Sequence, residues 1–209
     1  MTATTSPVLA RRAIGLGAFT IGYNVLEAIV AIAAGLVAGA VSLVGFGLDS
    51  GIEVVSAVIV VIRLSAEVRG GKPDERKEKR ALRAVAVTFF LLAGYLIVVG
   101  IRDLIVGGTP ETSVIGIVLT ALSIVIMPTL AWAKRRVGVQ MASALVVADA
   151  AETRLCAILS VTTFASLLAY LLLGWTWLDP VAGFVIAVFA IMEGREAWEG
   201  ELVEEHDHH

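Results

Sequence analysis

Residues 42–55 read Ser-Leu-Val-Gly-Phe-Gly-Leu-Asp-Ser-Gly-Ile-Glu-Val-Val and place two carboxylates, Asp49 and Glu53, in a stretch otherwise apolar enough to cross a membrane. A charge at membrane depth costs about 2.5 to 3.5 kcal/mol on insertion scales and is retained where it faces a pathway, a partner or a metal. Spacing by four puts both carboxylates on one helix face, about 6 Å apart along the axis, which is close enough to bind one ion. The two residues are therefore predicted to form half of a cation site.

The composition is that of an integral membrane protein. Of the 209 residues, 58% are hydrophobic and 17% are charged, and the mean hydropathy is +0.89. Soluble domains keep a more highly charged surface, so the chain is expected to lie in a lipid bilayer. The basic residues flank apolar runs and form no patch with interleaved aromatic residues, so nucleic-acid binding is not expected. The single cysteine, Cys156, excludes an internal disulfide.

The apolar runs predict an all-α polytopic membrane protein with six transmembrane helices. A helix of about 20 residues is needed to cross a hydrocarbon core about 30 Å thick. The predicted spans are residues 14–37, 43–64, 84–106, 114–133, 141–173 and 179–197. They form one transmembrane domain, residues 1–198, followed by a short acidic tail, residues 199–209, that contains His206, His208 and His209.

The distribution of Lys and Arg predicts the orientation in the membrane. An even number of spans puts both termini on one side, and nearly all basic residues fall on that side. They are Arg11, Arg12, those of the charged connection 67–83 and its flanks, Lys134-Arg135-Arg136 in the connection between spans four and five, and Arg195. The connection 67–83 is expected to be solvated. The positive-inside rule then predicts cytoplasmic termini in a cell inner (plasma) membrane.

A second acidic cluster lies in the fifth span. Asp149, Glu152 and Cys156 are spaced i, i+3, i+7 and share one helix face. Glu152 is expected about 17 Å from the cytoplasmic start of its helix, a depth that overlaps those of Asp49 and Glu53. Four carboxylates at one level cannot all stay ionised without a cation. They are expected to bind a cation, to carry protons, or to do both.

The donor types leave the metal open. All three histidines are in the tail, so the membrane site offers oxygen donors and at most one thiolate. Oxygen-rich sites suit Mn²⁺, whereas a tetrahedral set that includes Cys156 suits Zn²⁺. Cys156 has an alternative interpretation as a small apolar side chain in the core.

Several motifs together resemble the cation diffusion facilitator family of divalent metal/proton antiporters. They are Asn24 and the hairpin 35–44, Asp49-xxx-Glu53, Ala148-Asp149-Ala150, and Trp177-Leu178-Asp179-Pro180-Val181-Ala182. The resemblance implies a six-helix bundle of that family's type, with a metal site made from two residues four apart on helix two and two residues four apart on helix five. Asp49 and Glu53 match the first pair. Glu152 and Cys156 fall where the second pair lies, with Asp149 one turn earlier.

Two departures from the family pattern affect what the resemblance implies. The pair on helix five is not the usual His or Asp followed by Asp, which leaves the metal and the role of Cys156 open. The family's cytoplasmic C-terminal domain is expected to be missing. A homodimer is therefore a candidate assembly, but not one held together by that domain.

The function expected from the sequence is export of a divalent transition metal from the cytoplasm in exchange for protons. Zn²⁺ is the first candidate, with Mn²⁺, Fe²⁺ and Co²⁺ as alternatives, and the metal is cargo, with no cofactor expected. The chain is not expected to be an enzyme. The alternatives are a membrane-embedded, metal-dependent lipid enzyme and a membrane protein that senses metal without transporting it.

Structural roles are the competing interpretation for several charged residues. Asp49 and Glu53 could form an ion pair with Arg154, or Arg154 could neutralise Glu27. Asp179 before Pro180 is typical of a helix N-cap followed by proline at the first helical position. Pro128 is expected to kink the fourth span. The tail histidines are a candidate metal-collecting segment or a solvated end.

Overall fold

The computed structural model describes residues 7–69, 75–106 and 113–199, and within them it contains six α-helices and no strand. The helices are α1 (Pro7–Ala38), α2 (Val41–Val68), α3 (Glu75–Val106), α4 (Val114–Met141), α5 (Ala144–Leu173) and α6 (Leu178–Glu199). Five of them are long and apolar enough to cross a membrane. The exception is α6, which spans 22 residues and carries charged residues near both ends. The prediction of an all-α polytopic membrane protein is confirmed.

Three antiparallel helix pairs build the molecule. α1 packs most extensively on α2, α4 on α5, and α3 on α6, while α2 and α5 meet between them. The first pair is joined by a tight turn, which lies within the hairpin expected at residues 35–44. Gly39 adopts a left-handed φ of 62° just after α1, and the Ala40 amide donates to the Gly35 carbonyl at 3.0 Å. This is the usual way in which glycine ends a helix and turns the chain.

Small residues let α1 and α2 approach closely. A Cβ atom on Gly47 would lie 2.8 Å from Ile32 Cγ1 and 2.9 Å from the Ile32 backbone nitrogen. One turn further along α2, a Cβ atom on Gly51 would have no neighbour within 4 Å among the described residues. Membrane helices depend on such small residues for close contact, because lipid supplies no hydrophobic driving force between them.

We expect Gly47→Ala to destabilise the protein by about 1–3 kcal/mol, because the added methyl group forces α1 away from α2. The matched variant Gly51→Ala should leave the stability unchanged or raise it slightly, because alanine is the better helix former. Thermal unfolding of both purified variants in detergent tests the contrast. Equal melting temperatures for the two variants would contradict the packing described here.

Two apolar clusters enclose a polar level. One cluster lies where α1 and α5 begin and α2 and α4 end, and it includes Ala13, Val60, Leu64, Val137 and Leu145. The other lies further along the bundle and includes Phe46, Phe89, Met127, Leu155 and Leu159. Each of α2, α4 and α5 contributes residues to both clusters, and its buried charged residues lie between those two sets of residues. The charged level is therefore covered on both sides.

All the helices except α5 run further than the predicted spans, and α1 already begins at Pro7. α2 continues to Val68, α3 begins at Glu75, and α4 continues to Met141, so most of the expected solvated connection 67–83 is helical. Lys134, Arg135 and Arg136 lie inside α4, and their expected place in a loop is wrong. Pro128 also lies within α4. The Gly-Gly-Thr-Pro run at residues 107–110, which predicts the end of the third span, and the tail histidines lie outside the described residues.

Candidate metal site

All five predicted ligand residues are buried at the charged level between α2 and α5. Their exposed fractions are 3% for Asp49, 1% for Glu53, 2% for Asp149, 3% for Glu152 and 0% for Cys156. Asp49, Glu53 and Asp149 all interact electrostatically with Glu152. The helical spacing read from the sequence thus does bring four carboxylates near one another.

A buried lysine joins the carboxylates of the two helices. Lys134 of α4 is 2% exposed, and its Nζ lies 2.9 Å from Asp149 Oδ2 and 3.4 Å from Glu53 Oε1. The same ammonium group donates to Thr153 Oγ1 at 2.8 Å, and the Thr153 hydroxyl in turn donates to Glu53 Oε1. This contact was not predictable from the sequence, because Lys134 precedes two arginines and resembles the basic edge of a span.

The carboxylates still have unused oxygen atoms. Asp49 Oδ2, Glu53 Oε2, Asp149 Oδ1 and both oxygens of Glu152 are buried and have no hydrogen-bond partner among the residues that the structure describes. The Ser56 hydroxyl interacts with Glu152 without reaching good hydrogen-bond geometry. An unpaired polar group in an apolar surrounding costs free energy, and a charged group costs more. Five such oxygens at one level indicate a place meant for a positive charge.

The side chains do not form a finished metal site in this conformation. Across residues 7–69, 75–106 and 113–199, no three Asp, Glu, His or Cys side chains converge closely enough to hold a metal ion. The ammonium group of Lys134 lies between Glu53 and Asp149. A cavity of about 800 Å³ between α4, α5 and α6 is lined by Trp132, Arg135 and Arg154 and by none of the five predicted ligands.

Glu27 of α1 extends the polar level and was not predicted as a site residue. It is 1% exposed and accepts hydrogen bonds from Ser50 Oγ, at 2.8 Å, and from Ser123 Oγ. The Cys156 thiol lies 3.9 Å from Glu27 Oε2. Glu27 thus connects α1 with α2, α4 and α5. The available signal was a charged residue in an apolar span, but the suggested pairing of Glu27 with Arg154 is wrong, because Arg154 contacts Glu193.

The structural interpretation paired Arg154 with Glu27, or with Asp49 and Glu53. The structure shows neither pairing. Its guanidinium contacts Glu193 of α6, and its side chain is 59% exposed. Two residues beyond Glu152, it lies about 200° around the helix from that residue and so points away from the carboxylates. This leaves Lys134 as the cation that contacts the cluster within the described residues.

Asp179 has a structural role, although not the predicted one. It lies in the first turn of α6, which begins at Leu178, and so does not precede the helix as an N-cap. Its carboxylate accepts from the Ser42 backbone nitrogen at 3.2 Å and from Ser166 Oγ at 3.0 Å. Asp179 therefore ties the start of α6 to α2 and α5.

Comparison with known families agrees with this architecture. A family model described as the cation efflux transmembrane domain matches residues 80–199. The matched region runs from early α3 to the end of α6 and includes Asp149, Glu152 and Cys156, whereas Asp49 and Glu53 precede it. No curated protein matches the chain. Because the family model covers more than half of the 209 residues, the chain belongs to the cation efflux, or cation diffusion facilitator, family of metal cation transporters.

Proposed function

We propose that this membrane protein exports a divalent transition metal from the cytoplasm in exchange for protons. The observation that carries the proposal is the buried carboxylate cluster of Asp49, Glu53, Asp149 and Glu152. Five of its oxygen atoms find no partner in the part of the chain that the structure describes. Acidic residues at membrane depth are expensive unless they serve an ion pathway.

Competition between metal and protons supplies the coupling. Carboxylates and thiolates bind metal only when deprotonated, so metal binding releases protons and proton binding releases metal. In the proposed cycle, cytoplasmic metal displaces protons from the four carboxylates, and protons from the other side displace the metal outward. Alternating access then requires the helix pairs to rock around the site, as in other transporters with a midplane site.

The donor set supports Zn²⁺ as the first candidate, with Mn²⁺, Fe²⁺ and Co²⁺ as alternatives. Cys156 interacts with Asp49 and lies 3.9 Å from Glu27 Oε2. A thiolate beside carboxylates favours Zn²⁺, whereas carboxylates alone suit Mn²⁺. Cys156 is thus proposed as the fifth ligand residue, and its replacement is expected to change the order of preference among metals.

The orientation and assembly are also proposals. Basic residues flank the ends at which α1, α3 and α5 begin and α2, α4 and α6 end, and Arg102 is near the opposite end. The two ends of the bundle still differ in their number of Lys and Arg residues when buried Lys134 is not counted. This difference supports cytoplasmic termini in the inner (plasma) membrane. A homodimer is a candidate assembly for the bilayer.

Metal uptake by proteoliposomes tests the function. Vesicles that contain a metal-sensitive dye are exposed to Zn²⁺, Mn²⁺, Fe²⁺ or Co²⁺ with and without a pH gradient. We expect at least one metal to enter at a rate that follows the gradient, and we expect Asp49→Ala to reduce that rate to background. Asp103→Asn is the control, because Asp103 is a half-buried carboxylate of α3 outside the cluster. Flux that survives Asp49→Ala, or is lost equally in Asp103→Asn, would contradict the assignment.

A metal-sensing role is the second candidate function, and one observation supports it. Lys134 lies between Glu53 and Asp149, so the conformation described here has no finished metal site. Metal binding to the purified protein without any flux in the same vesicles would favour a sensor over a transporter.

A further inference from the structure

The ammonium group of Lys134 is surrounded by oxygen atoms, as a bound metal ion would be. It has three N–H donors. Three oxygen acceptors from two helices lie within 3.4 Å of it, namely Asp149 Oδ2, Thr153 Oγ1 and Glu53 Oε1. We propose that Lys134 is a built-in counter-cation that occupies the cation place between α2 and α5, and that the metal must displace it to bind. This inference rests on the proposed metal transport.

The charge balance argues against an ordinary structural ion pair. A buried ion pair is tolerable when the geometry is good and the remaining oxygens are satisfied by further hydrogen bonds. Here the ammonium group contacts two of the four carboxylates of the cluster, Glu53 and Asp149, and the second oxygen of each remains without a partner among the described residues. The lysine therefore compensates only part of the negative charge. An ion with two positive charges would compensate more of it.

The position of Lys134 lets its charge leave the site. The residue lies seven positions before Met141, the end of α4, which corresponds to about 10 Å along the helix axis. A lysine side chain has a flexible four-carbon stem and can extend along an apolar surface toward water. In the proposed exchange, the ammonium group moves toward the end of α4 along the apolar cluster that contains Val137 and Met141, while the metal takes its oxygen partners.

The arrangement also implies selectivity for divalent over monovalent cations. At equal distance, a divalent ion interacts with the carboxylates twice as strongly as an ammonium group does. A monovalent ion has no such advantage over Lys134 and would also have to displace it. Lys134 is thereby a specificity-determining residue in addition to the ligands themselves.

Equilibrium binding of Zn²⁺ and Mn²⁺ to the purified full-length protein in detergent tests the proposal. Lys134→Gln is expected to bind metal about tenfold or more tightly than the wild type, because the metal no longer competes with a held ammonium group. Lys134→Arg keeps the positive charge and is expected to bind with nearly wild-type affinity. Arg136→Gln is the control, since it removes an exposed positive charge of α4 whose guanidinium stacks on Trp132.

A second measurement uses the wild-type protein alone and does not depend on the folding of a variant. An amine-acetylating reagent is applied with and without metal, and mass spectrometry measures the modification of each lysine. We expect metal to raise the modification of Lys134 relative to that of Lys72, Lys77 and Lys79.

The outcomes separate this inference from the proposed function. The counter-cation role would be overturned if the wild type binds metal and folded Lys134→Gln binds it with equal or lower affinity. It would also be overturned if metal leaves the modification of Lys134 unchanged. Either result would leave the proposed metal transport standing. Binding by Lys134→Gln but not by the wild type would support the counter-cation role in its strongest form. Absence of metal binding in every protein would overturn both proposals.

Discussion

Replacing Glu152 by leucine is expected to stabilise the unloaded protein and to abolish metal binding. Both oxygens of Glu152 are buried without a hydrogen-bond partner among the described residues, while Asp49, Glu53 and Asp149 interact with it electrostatically. Leaving such a group unsatisfied costs about 1–3 kcal/mol, which an apolar side chain of similar length avoids. The same change removes a ligand that the proposed site needs.

Thermal unfolding with and without Zn²⁺ measures both effects on one protein. The wild type is expected to gain stability from metal, since a ligand that binds only the folded state stabilises it. Glu152→Leu is expected to start with a higher melting temperature and to gain nothing from metal. A lower starting temperature in this variant, or an undiminished gain from metal, would remove Glu152 from the site.

Glu53→Ala is expected to abolish metal flux and, unlike the change at Glu152, to destabilise the protein. Glu53 accepts from both Lys134 and Thr153, so its loss leaves part of a buried network without a partner. Removing one member of a buried ion pair costs about 3–5 kcal/mol, and the lower end is expected here because Lys134 keeps Asp149.

The double variant Glu53→Ala/Lys134→Ala provides the control for that prediction. Removing both charges should cost less than the sum of the two single changes, because neither partner is then left unpaired. Denaturant unfolding of the four proteins gives the coupling free energy. Additive effects would show that Glu53 and Lys134 do not interact energetically, and a stable Glu53→Ala protein with normal flux would exclude Glu53 from the mechanism.

The fold followed from the sequence because the bilayer imposes a strong constraint. Backbone groups in lipid must be satisfied within the segment, so long apolar runs form helices. The helix ends were less predictable, because charged residues can extend a helix into water without changing its apolar part. The charged residues that follow Glu75 at the start of α3 are an example. α4 continues eight residues past the predicted edge at residue 133 for the same reason.

The site residues were predictable where their spacing along a single helix identified them. Asp49 with Glu53, and Asp149 with Glu152, are charged residues at helical spacing in apolar spans, and this pattern alone indicates a shared face. Lys134 was missed because its burial depends on how α4 packs against α5 and α1, which neighbouring residues do not encode. The hydrogen bonds of Glu27 to Ser50 and Ser123 were missed because serine is common in membrane helices and does not identify its partner.

Simultaneous measurement of metal and proton movement tests the central claim most directly. Proteoliposomes that contain a pH-sensitive dye and a metal-sensitive dye are given an inward gradient of Zn²⁺, with no initial pH difference. We expect metal entry to drive protons out of the vesicle lumen, and we expect Asp49→Ala and Glu53→Ala to abolish both signals together. Metal entry without proton movement, with the membrane potential clamped, would contradict exchange at the buried carboxylates.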